Sequence, residues 1–437
     1  MTLELKMPLS QKYLWRFVLL FLLFFCFPYD MTYGMTYALE DWHLWDTPIF
    51  WLADVLFNWE LSIDTRYIGF DSRYEVVRYT LCFLLANLGT LIWLLIDYKY
   101  KTSYNQKLKN LVQTILRYHI AFIILTYGLS KVVDIQFGVM SMDTLDKNIG
   151  NSSAMGFMWD FFSYSQTVTR FSGWLEVIGG VLLFFRRTTF LGLTLLVIVM
   201  ANVVIFDIGY NVSVTIYAIY ILVLILILLS DQFVSIYNYL ILNKTTTPVR
   251  YKRLFVNDKT YARAKIFKIA LLLVMSSLFF YQFSTYANLM KKDQSWFTNK
   301  QTVETFIRNG DTISNDTDEK RWKEINFNTT NVYPNSFEII YHTKKTERLA
   351  FTIDTLTKTL NYSDFIDPTP QYELFSKIDD SIEKNRTWKS LKYSKRGDTA
   401  TVWTGIFKKD TLHIETSVKR LEDYPLMKRR GRWLFDL

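Results

Sequence analysis

The sequence predicts a membrane-embedded all-α bundle of about seven spans followed by an all-β domain in the last third of the chain. Three observations carry that class. Apolar runs of span length crowd the first two-thirds, and hydrophobic residues make up 50% of the whole with 17% aromatic. Charged residues nevertheless reach 21%, too many for a bundle alone, which calls for a water-exposed part as well. From about Lys291 onward no apolar run is long enough to span, and segments such as FEIIYHT and ATVWTGIFKKDTLHIETSVKRL alternate apolar and polar residues at the period of a strand.

A span needs roughly 20 mostly apolar residues. The candidates are Tyr13 to Tyr29, Val76 to Ile96, Leu111 to Lys131, Phe171 to Phe185, Phe190 to Phe206, Val214 to Leu229 and Ile266 to Tyr286. The first follows Lys6 and Lys12 as a signal peptide would. The FPYDMTYGM after it, however, offers no small-residue cleavage site, so an uncleaved span is expected. The fourth is short and is expected to begin earlier, within SYSQTVTR. Between the first two spans, Trp42, Trp45, Trp51 and Trp59 stand among acidic residues, the pattern of a segment lying at the membrane–water boundary. Such a segment is either a plain anchor or a lid for a lipid-soluble molecule.

Basic residues orient the bundle. Lys99, Lys101, Lys107 and Lys109 follow the second span, and Arg186-Arg187 follow the fourth. Lys244, Arg250, Lys252, Arg253, Lys259, Arg263 and Lys265 precede the seventh. All three groups fall on the side of the N-terminus, which is therefore expected to be cytoplasmic, with the tail outside. The opposite loop, Asp30 to Arg73, is acidic, with Glu40, Asp41, Asp46, Asp54, Glu60, Asp64 and Asp71. Because the net charge of +9 sits largely in these loops, it requires no nucleic-acid partner. Four regions follow: 1–110, a two-span extension with the aromatic loop; 111–243, a four-span core; 244–290, the basic loop and seventh span; and 291–437, the β domain. KRGD and KKD mark hairpin turns in that domain, whose size suits a small barrel or sandwich, including a lipocalin-like barrel. It is read either as a cup for a small apolar ligand or as a docking module.

Several chemistries are not supported. The two cysteines, Cys26 and Cys82, lie singly in predicted spans with no CxxC. The four histidines, His43, His119, His342 and His413, have no metal-ligand spacing. No GxGxxG follows a strand, and no nucleophile–base pair can be drawn, so no autonomous catalytic or metal site is expected.

The informative region is Arg117 to Leu242, where apolar segments carry Lys131, Glu176, Asn202 and Asp207. Ionisable groups within a bilayer are costly and make an intramembrane site the first hypothesis. A helix rises about 1.5 Å per residue. Counting from Arg117 at the boundary puts Lys131 roughly 21 Å across; Glu176 lies roughly 16 Å from Arg187 and Asn202 roughly 18 Å from Phe190. A Lys131–Glu176 pair with Asn202 nearby is therefore expected at one depth. It would either pin two helices or form a substrate, proton or quinone site. His119, beside Arg117, reads as a headgroup contact at the cytoplasmic interface, and Gly179-Gly180 as a close helix contact.

These residues also resemble a known family. Arg117, Tyr127-Gly128 and Lys131, then Gln136-Phe137, then GNSSAMG from Gly150 to Gly156 follow the pattern of the DoxX-like bacterial integral membrane proteins. So do FSGWLEVIGGVLLFFRRTTFLG from Phe171 to Gly192, Asn202-Val203-Val204 and Tyr210. The chain departs at Tyr210 to Thr215, where relatives carry a YD-V-P-V-K turn and this turn has lost an acid and a base. It also has Gly138 and Ala154 in place of loop prolines. The resemblance implies a four-span DoxX-like core in a bacterial inner membrane. Since some members are subunits of quinone-linked oxidoreductases, it implies a lipid-soluble ligand of the quinone class and a partner oxidoreductase subunit. The alternative is a non-enzymatic scaffold or lipid-handling protein displaying a β-barrel ligand-binding or docking domain.

Overall fold

The computed structural model describes residues 7–26, 45–61, 71–100, 105–138, 140–246, 251, 257–291, 300–314, 318–327, 336–364, 387–397 and 400–428. Trp42, His43, Lys101, Arg250, Lys252 and Arg253 lie outside the described residues. The chain divides into a helical unit, Met1–Phe137 with Ser153–Phe162 and Gln166–Phe280, and a β unit, Gly138–Ser152 with Ser163–Ser165 and Tyr281–Leu437.

The helices are α1 (Leu9–Cys26), α2 (Asp46–Leu52), α3 (Arg73–Tyr100), α4 (Asn105–Val132), α5 (Met142–Asp146) and α6 (Ala154–Tyr164). They continue with α7 (Gln166–Leu183), α8 (Thr189–Gly209), α9 (Thr215–Leu229), α10 (Phe233–Leu240) and α11 (Asp258–Lys291). Among the described residues five helices are long and apolar enough to cross a membrane: α1, α3, α4, α8, and α9 continued through α10. Outward-facing Phe83, Leu84, Leu88, Leu91 and Leu95 of α3 are exposed, as a lipid-facing surface would be.

Several boundaries differ from the periodicity reading. The third span was expected from Leu111, but α4 begins at Asn105, so Arg117 lies well inside the helix and does not open it. Lys99, expected in a loop, is in the last turn of α3, and Lys259, Arg263 and Lys265 are in the first turns of α11. Long amphipathic cations continue a helix past its apolar run, because their stems pack while their heads reach water. α7 begins at Gln166, within SYSQTVTR.

Two arginines inside apolar runs are accommodated by local partners. Arg16 of α1 pairs with Asp97 and donates to Asn105 Oδ1 at 2.7 Å and to the Lys12 carbonyl at 3.0 Å. Arg78 of α3 pairs with Glu75 at 2.5 Å and donates to the Phe25 carbonyl at 3.2 Å. The turn before α9 lacks an acid of its own, but Asp71 supplies one: its carboxylate accepts from the amides of Thr215 at 2.8 Å and Ile216 at 2.9 Å. A negative group there satisfies orphan amides and complements the helix dipole. In the tryptophan-rich segment between α1 and α3, Trp51 is exposed, while Trp59 stacks on Phe57 and lies beneath Arg73.

The β unit is a closed antiparallel barrel of eight strands. They are β1 (Lys300–Arg308), β3 (Trp322–Asn326), β4 (Ser336–Tyr341), β5 (Thr346–Asp354), β6 (Thr359–Asp364), β7 (Lys389–Arg396), β8 (Ala400–Phe407) and β9 (Asp410–Lys419). A two-residue β2 (Asp311–Thr312) pairs with β1. Each strand pairs with the next and β9 closes on β1, which leaves no long free edge. The KKD turn is the tight connection from β8 to β9, with Lys408 left-handed at φ 57°. Alternate residues meet inside as a core that includes Phe306, Trp322, Phe337, Ile339, Trp403 and Ile414. The buried Gln301 accepts from Trp403 Nε1 at 2.9 Å and Thr416 Oγ1 at 2.8 Å.

Residues 138–152, which precede α6 in the chain, are part of this unit. Met140 and Met142 cluster with Tyr424 and Met427. Asp146 accepts from Lys300 Nζ at 2.6 Å and Lys419 Nζ at 2.8 Å. Burial pushes the Asp146 carboxyl up, but these ammonium hydrogen bonds outweigh it and hold the group below its ordinary 3.8. A depressed carboxyl contributes stability above its unfolded value and loses it as the pH falls through the folded one. Docking of 140–146 should therefore be undiminished above pH 3.8 and weaken only below it. Asp146→Asn should loosen the segment at neutral pH and abolish that acid step. Amide exchange of residues 140–146 against pH checks this, and an acid step that survives in the variant would refute it.

Candidate functional site

The site grows from the seam between α4 and α7. Gly128 and Gly173 face each other so closely that a Cβ on Gly173 would lie 2.7 Å from the Gly128 carbonyl oxygen. One on Gly128 would lie 2.9 Å from that of Gly173. In each helix a charged residue follows its glycine by three positions, which puts it on the same face. The result is an ion pair between Lys131 Nζ and Glu176 Oε1, with Lys131 7% and Glu176 2% exposed. Further along, Asp134 pairs with Arg170. At the other end of the seam, Arg117 donates to the carbonyls of Leu183 at 3.0 Å and Phe184 at 3.3 Å. A cation there meets the unsatisfied acceptors and the negative end of α7.

Lys131 and Glu176 line a cavity of about 240 Å³ inside the helical unit. Its wall is mostly apolar, with Met158, Trp159, Phe162, Met200, Phe206 and Tyr217 prominent, and Asp207 completes the ionisable set. Asp207 is 5% exposed and lies in the last turn of α8, where the helix dipole disfavours an anion. Glu176 Oε2 and Asp207 Oδ2 have no hydrogen-bond partner among the described residues. Apolar walls with a few convergent polar groups are the usual make-up of a small-molecule site. Since an apolar cavity of about 150 Å³ takes up benzene, this one has room for a substituted ring. No group of His, Cys, Asp and Glu suited to a metal occurs among the described residues.

The other expected positions separate. Asn202 lines the cavity, but its side chain is exposed and donates to the Ile198 carbonyl of its own helix at 2.8 Å; no bond to Lys131 or Glu176 forms. Depth counting could not see this, because depth says nothing of direction around the helix. His119 is not a headgroup contact. It is 3% exposed, with Nε2 2.8 Å from Tyr220 Oη. Two residues turn a helix by about 200°, so His119 faces away from Arg117 into the bundle. Gln136 is in the cavity wall and accepts from Ser130 Oγ at 3.2 Å. Tyr210 stacks on Phe206. Arg186 donates to Tyr261 Oη at 3.1 Å, and Arg187 is exposed. Gly180 lies against Ala121 and Leu125 of α4, and Gly179 against Leu196 of α8.

Sequence reasoning missed Asp134–Arg170 and Asp71, whose partners are remote in the chain. It also passed over Arg16 and Arg78, although each is a charge within an apolar run.

Removing one partner of a buried ion pair leaves an uncompensated charge, at a cost of about 3–5 kcal/mol. Lys131→Met and Glu176→Gln should each lower the folded yield and melting temperature of the detergent-purified protein. The double variant should regain part of the loss. Additive losses in the double variant would show that the two side chains are not coupled.

No family model matches the chain, and no solved structure matches it. It is similar to the uncharacterized protein YwoB of Bacillus subtilis (strain 168), with 33% identity over 115 residues, 26% of this chain and 71% of that protein. The chain thus belongs to the same family as YwoB.

Proposed function

We propose that the helical unit binds a lipid-soluble molecule in the Lys131–Glu176–Asp207 cavity, as a DoxX-like membrane subunit of a redox system. Its ligand would be of the quinone class. The single observation that carries the reading is the apolar cavity itself, with ionisable groups in its wall and two carboxylate oxygens unpartnered. Such groups are tolerated at membrane depth chiefly where they serve a site. When bound, a quinone would supply the redox chemistry. The chain's own part is to hold the ring between Met158, Trp159, Phe162 and Met200 and to present Lys131, Glu176 and Asp207 to its polar edge. Electron donors and acceptors would come from a partner oxidoreductase subunit. Protein purified in mild detergent should release an apolar molecule on solvent extraction, in roughly equimolar amount, and Met200→Trp should empty the site while the fold survives. Extracts that hold only bulk phospholipid would overturn the reading.

In the proposed topology α7 and α11 join the five long apolar helices to make seven spans of a bacterial inner membrane. The N-terminus is then cytoplasmic and the β unit extracytoplasmic. Lys99, Lys107, Lys109, Arg186, Arg187, Lys259, Arg263 and Lys265 at one set of helix ends support this. A phosphatase reporter that folds only outside the cytoplasm should be active when fused after Leu437. Activity there of a cytoplasm-only reporter would sink both the span count and the placement of the barrel.

A second reading keeps the helical unit as a non-enzymatic scaffold or lipid-handling device that displays a lipocalin-like barrel. The aromatic filling of the barrel favours docking over ligand binding for that unit, because Phe306, Trp322, Phe337 and Trp403 occupy its interior.

A further inference from the structure

We propose that the cavity selects an apolar molecule whose polar head donates hydrogen bonds, a hydroxyl or an ammonium, over one that offers only carbonyl acceptors. The inference rests on the cavity being the site of a lipid-soluble ligand and names the chemistry of that ligand's head. The buried wall atoms that lack a partner lead to it. Two carboxylates, Glu176 and Asp207, face one ammonium, Lys131, so the set carries one formal negative charge in excess. Lys131 donates to Glu176 Oε1, and Asn202 gives its amide to the Ile198 carbonyl. The wall's buried side-chain atoms that lack any partner among the described residues are both acceptors, Glu176 Oε2 and Asp207 Oδ2, on residues 2% and 5% exposed. Lys131, already bonded to Glu176, keeps further N–H groups. A buried acceptor without a donor bears the desolvation cost of a lost hydrogen bond, and more when it is charged. The position of Asp207 in the last turn of α8 adds to that cost. A ligand that brings O–H or N–H groups removes the deficit. A ligand that brings only carbonyl oxygens can take a spare N–H of Lys131 but leaves both carboxylate oxygens without a donor.

For a redox-active ring the consequence is a preference for the reduced, dihydroxy form. A site that binds the hydroquinone tenfold tighter than the quinone raises the midpoint potential of the bound couple by about 30 mV, the two-electron equivalent of that ratio.

The test uses the full chain in lipid nanodiscs and four probes with one common alkyl tail: a hydroquinone, the matching quinone, the hydroquinone dimethyl ether and an alkylammonium. Equilibrium dialysis should show the hydroquinone or the alkylammonium binding at least about tenfold tighter than the quinone and the ether. Whichever of the two wins identifies the donor as neutral or charged. Asp207→Asn should shrink the ratio toward one with the helical content unchanged. The comparison among probes on the unaltered protein stands even if that variant fails to fold. Quinone or ether binding as tightly as the hydroquinone and the alkylammonium would overturn the inference while leaving the cavity a lipid-soluble ligand site. Failure of all four probes to bind would remove that underlying reading as well.

Discussion

Backbone contact between Gly128 and Gly173 sets how near α4 and α7 can come, and the cavity depends on that separation. Any side chain at either position would meet a carbonyl oxygen of the opposite helix. Without a hydrophobic drive between helices in lipid, close approach of small residues is a principal source of association. The approach also brings Lys131 and Glu176 within bonding distance one turn further along. Gly180 against α4 and Gly179 against α8 extend the same logic, so α7 is held on two sides through positions that lack a Cβ. The run GWLEVIGG reads in this light as one device, with its glycines supplying proximity and its glutamate the charge that proximity makes tolerable.

The polar groups of the helical unit are spent differently. Arg117 meets the carbonyl end of α7, Asp71 the amide end of α9, and Arg16 and Arg78 pair with acids near their own helices. Each of these is accounted for by helix termini or pairing, both of which stabilise without implying chemistry. Glu176 and Asp207 differ in that each brings an oxygen with no partner among the described residues to the wall of the cavity, whereas the unpartnered buried Nε of Arg16 is not in that wall. That difference separates architecture from a candidate site, and charge alone would not have drawn it.

The β unit solves a separate problem. Closure of β9 onto β1 satisfies both edges, and the aromatic interior makes it a packed body of its own. Residues 138–152 belong to it although they fall in the chain between α4 and α6. Asp146 between Lys300 and Lys419 anchors them there.

The sequence by itself determined the two classes of structure, because apolar run length and strand alternation are local properties. Span-length helices through residue 240 and the hairpin around the KKD turn follow from the residues that form them. It also marked Lys131 and Glu176, since a charge in an apolar run is conspicuous whatever its partner. Tertiary structure alone decided direction. Asn202 and Asp207 lie on one helix and both line the cavity, yet the Asn202 side chain is exposed and bonds its own helix while Asp207 is buried. His119 and Arg117 are two residues apart and serve different neighbours. The acid missing from the turn before α9 arrives from Asp71, 144 residues earlier. Azimuth around a helix and contacts across such separations come from packing the whole bundle, which no window of sequence contains.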